Sequence, residues 1–325
     1  MASRIKKIIS YIIPPLVTVG LCYVLYSDVD LHTIYTQLSD WNYPLVALFL
    51  GCNVAAMLLR GLRWRLQLCA LQVCPSFGAV SRSIFGCYAV NMLFPRLGEV
   101  WRCAYISKGS GKPFSGIFGT MVADRIADTI TVFILAIIAF VMSSSAMDKF
   151  LAEASPVESL QGLFTSWPVI VGVVLLLFVA AFILFSRHKF AVRMRAFIVK
   201  TWRGFAVVFK MPKRGQWLIL TIGIWGCYIL SMYLSMLAFA PTAALVTQNG
   251  MACVLLTFVF GSLSMAIPSN GGIGPWQLAI IMSLSGLYGM SHDVALGFAT
   301  VNLAATSLLT IILGIATFLS FVRKS

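Results

Sequence analysis

The amino-acid sequence predicts an all-α polytopic membrane protein, and three observations carry the prediction. Hydrophobic residues make up 60% of the 325 positions and charged residues only 10%, whereas a soluble domain is about a quarter charged. The apolar residues gather into runs long enough to cross a bilayer, for which about 20 residues are needed. Lys and Arg cluster at alternate ends of these runs, the bias that sets the orientation of helical spans. Mean hydropathy is +0.93, and the alternating pattern of a transmembrane barrel is absent. The net charge of +14 follows from loop placement and is no sign of nucleic-acid binding.

The elements follow in order. Arg4, Lys6 and Lys7 precede an apolar run at 8–26 with no small-residue cleavage site after it, which reads as a retained first span. Asp28, Asp30 and Asp40 place the following loop outside. Trp41 and Tyr43 anchor a second span to about Leu59, and Arg60, Arg63 and Arg65 mark the return inside, with Trp64 and Leu66 suggesting a short interfacial helix. The next apolar segment, 77–95, has basic residues on both flanks. It must enter and leave on one side, as a re-entrant hairpin turning near Gly86 or as two short crossings. A third span covers 113–142, an acidic outer loop 143–166, and a fourth span runs from Trp167 to about Phe185. Residues 187–214 hold nine Lys or Arg and no acid, an inner loop suited to anionic lipid with Trp202, Phe205 and Phe209 seating one face. A fifth span at 217–240, an uncharged loop at 241–250, a second broken segment at 251–288 and a last span to 322 complete the chain. The expectation is about six full spans plus two broken hairpins in a single transmembrane domain. Its termini are cytoplasmic, in the inner membrane.

Span, span, broken hairpin, span occurs twice, starting inside the first time and outside the second. That order predicts inverted halves, 1–142 and 167–325, joined by the outer loop 143–166. Discontinuous segments in matching positions of inverted halves point to a transporter's binding site.

The polar residues inside the apolar stretches are few. Residues 91–102 hold Asn91, Pro95, Arg96, Gly98, Glu99 and Arg102. A Pro-x-x-Gly interruption frees backbone groups that lipid cannot satisfy, so it must be covered by protein or line a watery cavity. Asp124, Arg125 and Asp128 fall within the third span, with the two acids sharing a helix face and Arg125 three residues from Asp128. Such charges mark functional sites or internal ion pairs, and a pair that opens for a substrate is both. In the second broken segment Pro268, Asn270, Gly271, Gly272 and Gly274 precede Pro275 and Gln277, a glycine turn followed by a helix start. Asn270 and Gln277 complete that candidate site. No zinc-hydrolase, serine-hydrolase or P-loop motif occurs, so an enzyme, a cofactor and a metal are all unexpected. The eight Cys read as small buried residues and not as a disulfide frame.

Three motifs in this order, Asn-x-x-x-Pro-Arg-x-Gly-Glu-x-x-Arg (91–102), Asp-Arg-x-x-Asp (124–128) and Pro-x-x-Gly-Gly-x-Gly (268–274), resemble the lysylphosphatidylglycerol synthase transmembrane-region family. The resemblance implies a flippase-like membrane protein. In bifunctional members this region moves aminoacylated phosphatidylglycerol between leaflets after a soluble domain has made it. No stretch here reads as that soluble domain, so synthesis is not carried over. The function expected is movement of an anionic-headgroup phospholipid, glycolipid or polyprenyl-phosphate-linked lipid. Arg96, Arg102 and Arg125 would hold phosphate, while Glu99, Asp124 and Asp128 would balance or couple. A non-transporting scaffold or an intramembrane enzyme of lipid metabolism is the alternative. The family often has Glu where Gln277 stands, and an amide cannot exchange protons.

Overall fold

A computed structural model describes residues 41–143, 189–267 and 269–322. The expected spans at 8–26 and 167–185, the outer loop and Pro268 lie outside these residues. What is described is helical, apart from an isolated antiparallel bridge between Trp41 and Phe239. The chain is an all-α, multi-pass membrane protein.

Helix α1, Tyr43–Ala70, opens on Asn42, whose Oδ1 accepts from the Leu45 N–H at 3.3 Å, with Pro44 in the first turn. It runs 28 residues without a break. The short interfacial helix expected around Arg60–Leu66 is therefore the second half of α1. Arg60, Arg63 and Trp64 stay on its buried face because they keep the three-and-four spacing of Ala56, Met57, Gln67 and Leu68. The next pair, α2 (Phe77–Leu93) and α3 (Leu97–Ser110), packs as a helical hairpin. Its turn is at Phe94–Arg96, not near Gly86 as expected. Gly86 instead lets the Trp101 ring of α3 lie against α2, and Gly98 brings the α3 backbone onto the Cys87 carbonyl; a Cβ at either place would collide. The break falls where Pro95 cannot continue a helix and where Arg96 takes the left-handed conformation, φ 63°.

Helix α4 (Phe114–Met142) is the expected third span. The basic segment expected as a loop forms α5 (Lys189–Lys210), which packs on α4 with Gly119 and Gly204 at backbone contact. Helix α6 (Arg214–Ala238) matches the fifth span. Helix α7 (Ala240–Ser264) absorbs the expected loop 241–250 and breaks at Gly250, φ 64°. Beyond a glycine turn, α8 (Pro275–Ile281) continues as a π-helical turn (Met282–Leu287) and packs back on α7 as the second hairpin. Helix α9 (His292–Val322) ends the described chain. Five of these helices, α1, α4, α6, α7 and α9, are long and apolar enough to cross a membrane. Cys69 and Cys74 are joined by a disulfide just past α1, against the expectation that all cysteines are simply buried.

Helices α1 and α6 run antiparallel along their length. Trp41 lies by Phe239, the Asn53 amide donates to Ser231 Oγ at 2.6 Å, and Arg63 NH1 donates to Thr221 Oγ1 at 3.2 Å. The first hairpin leans on α9, where Gly314 admits Ala89, and the second leans on α4, where Ser143 Oγ donates to the Ala252 carbonyl. Tryptophan and phenylalanine close one end of the bundle, with Trp41 stacked 5.2 Å from Phe239 and 5.7 Å from Phe298.

Candidate functional site

Four elements, α1, α3, α4 and the turn after α2, bring charge together inside the bundle. Asp124 and Asp128, one turn apart on α4, face two arginines one turn apart on α1. Arg63 NH2 lies 2.6 Å from Asp124 Oδ1 and 2.7 Å from Asp128 Oδ1; Arg60 NH1 lies 2.5 Å from Asp128 Oδ2 and 3.6 Å from Asp124 Oδ2. Arg102 reaches in from α3, 3.4 Å from Asp124 Oδ2, with its guanidinium 4.6 Å above the Trp64 ring. Arg63, Arg102 and Asp124 are fully buried, and Asp128 has 11% of its side chain exposed. Three guanidinium groups against two carboxylates leave one positive charge in excess. The Nε and NH1 of Arg102 are buried with no partner among the described residues.

A second polar chain leads from this centre to the tips of the hairpins. Glu99, at the start of α3, lies 3.6 Å from Arg125 NH2. Asn91 ties the first hairpin's two limbs. Its Oδ1 accepts from the Gly98 N–H at 2.8 Å and its Nδ2 donates to Glu99 Oε2 at 3.2 Å. The Asn91 carbonyl accepts from the Gly271 N–H at 3.3 Å, and Arg96 donates to the Ala266 carbonyl, so the two hairpins touch tip to tip. Gly271, Gly272 and Gly274 have φ of 64°, 86° and 90°, a run of left-handed positions that only glycine takes freely. Pro275 then starts α8, as the sequence predicts. Gln277 Oε1 accepts from the Gly274 N–H at 3.1 Å and its amide donates to Thr300 Oγ1 at 3.3 Å. The Oδ1 of Asn270 is buried without a partner among the described residues.

The sequence profile of the lysylphosphatidylglycerol synthase transmembrane region matches residues 11–314. The chain belongs to that family. No curated protein and no solved structure matches it.

Within this lysylphosphatidylglycerol synthase transmembrane region, the structure redistributes the charges expected from sequence. Asn91, Arg96, Gly98 and Glu99 meet the glycine turn as one assembly, and Asp124 and Asp128 share a face as their spacing predicts. The partners differ, however. Arg102 goes to Asp124, and Arg125 goes to Glu99 and not to Asp128. Pro95 shapes the turn, while Pro268 is outside the described residues. Arg60 and Arg63 were missing from the expected site because they read as loop charges marking the inner side. The signal that finds them is periodic: continuing α1 to Ala70 puts both on the face of Met57, Trp64 and Leu68.

Proposed function

We propose that the protein moves an anionic-headgroup lipid between leaflets, whether a phospholipid, a glycolipid or a polyprenyl-phosphate-linked lipid. The observation that supports this reading is the pair of hairpins touching tip to tip beside a chain of charged side chains within membrane-spanning helices. Charge of this kind is expensive in hydrocarbon and is kept where polar cargo passes. Arginine's planar fork suits a phosphate better than the point charge of lysine. Of the three arginines expected to hold phosphate, Arg102 is sealed, whereas Arg96 is exposed at the tip and Arg125 keeps 40% of its side chain exposed. We assign contact with the head group to Arg96 and Arg125, and organisation of the bundle to Arg60, Arg63 and Arg102. Anionic lipid of the inner leaflet would meet the basic segment 187–214, the termini would face the cytoplasm of an inner membrane, and no nucleic acid, cofactor or catalytic step is involved.

The test is reconstitution in vesicles carrying fluorescent phosphatidylglycerol, read by dithionite quenching of the outer leaflet. Wild type is expected to expose inner-leaflet lipid faster than protein-free vesicles, and Arg96→Lys to slow this with its melting temperature unchanged. Wild type no faster than protein-free vesicles, across phospholipid, glycolipid and polyprenyl-phosphate substrates, overturns the proposal. A purely architectural role is favoured by one observation, the complete burial of Asp124, Arg63 and Arg102. On that reading Arg96→Lys and wild type are alike in every lipid assay.

A further inference from the structure

We propose that the contact between the hairpin tips is a latch opened by a lipid phosphate, which draws the Arg96 guanidinium off the Ala266 carbonyl and so parts the two hairpins. The latch deepens the transport reading above and rests on it. Four arginines of the site, Arg60, Arg63, Arg102 and Arg125, each face a carboxylate within 3.6 Å. Arg96 is exposed and has no carboxylate partner among the described residues. Its guanidinium donates instead to the Ala266 carbonyl of the opposite hairpin. That carbonyl stands just past the end of α7 at Ser264, where helical carbonyls run out of backbone donors and the helix dipole favours a cation. Arg96 thus caps α7 from the other hairpin, and a full positive charge is held on a neutral acceptor.

Three features make this a contact that a phosphate can undo. A phosphate presents negative charge and paired oxygens to the guanidinium fork, where the carbonyl offers one neutral oxygen. The lipid therefore favours the released state, and without such differential affinity a ligand shifts no equilibrium. Next, Arg96 is left-handed at φ 63°. A residue with a Cβ keeps that conformation only where its surroundings impose it, and such residues gather at ligand clamps and switches. Last, the other recorded contact between the tips is a single N–H, from Gly271 to the Asn91 carbonyl at 3.3 Å. Left-handed Gly272 and Gly274 follow it, and a glycine backbone turns at little cost. Leu93, Phe94 and Leu97 on the first hairpin, and Met265 and Ile267 on the second, are exposed beside the two latch residues. They set an apolar surface next to the guanidinium, which selects an amphiphile over free phosphate.

The experiment follows amide exchange at 269–274 by mass spectrometry, using the full chain in dodecyl maltoside, a detergent without phosphate. Dihexanoyl phosphatidylglycerol, dihexanoylglycerol and glycerol phosphate are added separately. The first is expected to speed exchange about fivefold, the loss of a hydrogen bond between the tips, and the other two to leave it unchanged. Arg96→Gly removes the guanidinium and keeps the left-handed turn, which glycine takes freely. Its exchange is expected to be fast without ligand and indifferent to all three. Arg96→Lys, which retains a donor for the carbonyl but loses the fork, is expected to start as slow as wild type and to respond less to phosphatidylglycerol. The latch is overturned if wild type ignores phosphatidylglycerol, if dihexanoylglycerol acts equally, or if Arg96→Gly is as protected as wild type. A response to glycerol phosphate as large as that to the lipid overturns the lipid as trigger. The quenching assay separates the latch from the transport reading. Loosening by phosphatidylglycerol without movement between leaflets keeps the latch and removes that reading; movement with the tips unchanged does the reverse.

Discussion

The two hairpins solve one problem with different chemistry. Each interrupts an apolar stretch, where freed backbone groups need protein or water to satisfy them. The first turns through Pro95 and a left-handed Arg96, and ties its limbs with side chains, Asn91 to Gly98 and Glu99. The second turns through three left-handed glycines and closes with the neutral Gln277, while Thr257 and Ser283 hydrogen bond between its limbs at 2.9 Å. All the acidic residues described within the bundle, Glu99, Asp124 and Asp128, belong to the first half. The first hairpin therefore carries the charged side chains, and the second offers a glycine backbone to it.

The largest effect that would break or sharpen this contrast comes from Asp124. It lies within 3.6 Å of Arg60, Arg63 and Arg102. Removing one partner of a buried ion pair costs about 3–5 kcal/mol because the remaining charge is stranded. Asp124→Ala is expected to lose most folded protein in detergent, measured as monodisperse yield and melting temperature. Asp128→Asn, whose carboxylate is less buried, is expected to lose less. Equal or greater loss in Asp128→Asn would overturn this order.

Backbone packing supplies the next contrast, within one helix. An added Cβ at Gly98 would run into the Cys87 carbonyl, whereas one at Gly109 meets nothing within 4 Å. Gly98→Ala is expected to destabilise by about 1–3 kcal/mol through overpacking. Gly109→Ala should be neutral or stabilising by up to about 1 kcal/mol through helix propensity. Thermal unfolding of both variants against wild type is the measurement.

These residues also show why part of the structure was legible beforehand. Long apolar runs and Lys/Arg placement give the spans, because bilayer thickness and membrane charge act on one dimension of the chain. The glycine turn and the Pro275 helix start were equally plain, since φ above zero and a fixed φ are properties of single residues. The first hairpin's turn was misplaced because Gly86 looks like a breaker but is a contact: its missing Cβ is filled by Trp101, a partner fifteen residues away. Arg60 and Arg63 were misplaced for a related reason. A basic residue at the end of an apolar run is a loop charge by default, and only the acids on α4 make burial affordable. Pairings across the bundle, unlike periods along it, are not written in spacing.

At the hairpin tips, Gly271→Ala tests the contact itself. Its φ of 64° is strained for any residue with a Cβ, and the added carbon would meet Met92 Sδ. The left-handed penalty is about 1–2 kcal/mol. The variant is expected to fold with a modest fall in melting temperature, and to loosen the N–H contact to the Asn91 carbonyl, seen as faster amide exchange at 269–274. Unchanged exchange there would show that the tips are held from elsewhere.

The smallest expected change, and the one most particular to this chain, is Gln277→Glu. Gln277 accepts from the Gly274 N–H at 3.1 Å and donates to Thr300 at 3.3 Å, and it is 3% exposed. Glutamate keeps the accepting oxygen at the start of α8, and at this burial its protonated form, close in shape to the amide, is favoured. It gives up the donor to Thr300, whose hydroxyl can turn and donate to the carboxyl instead. The opposing terms leave a net change expected within about 1 kcal/mol, small enough that the variant can be compared with wild type in vesicles. An amide cannot exchange protons and a carboxyl can. Wild-type lipid movement should thus be indifferent to a proton gradient at this position, while Gln277→Glu should acquire a dependence on it. If both proteins respond alike, the neutrality of the second hairpin is incidental, and any coupling belongs wholly to the acids of the first half.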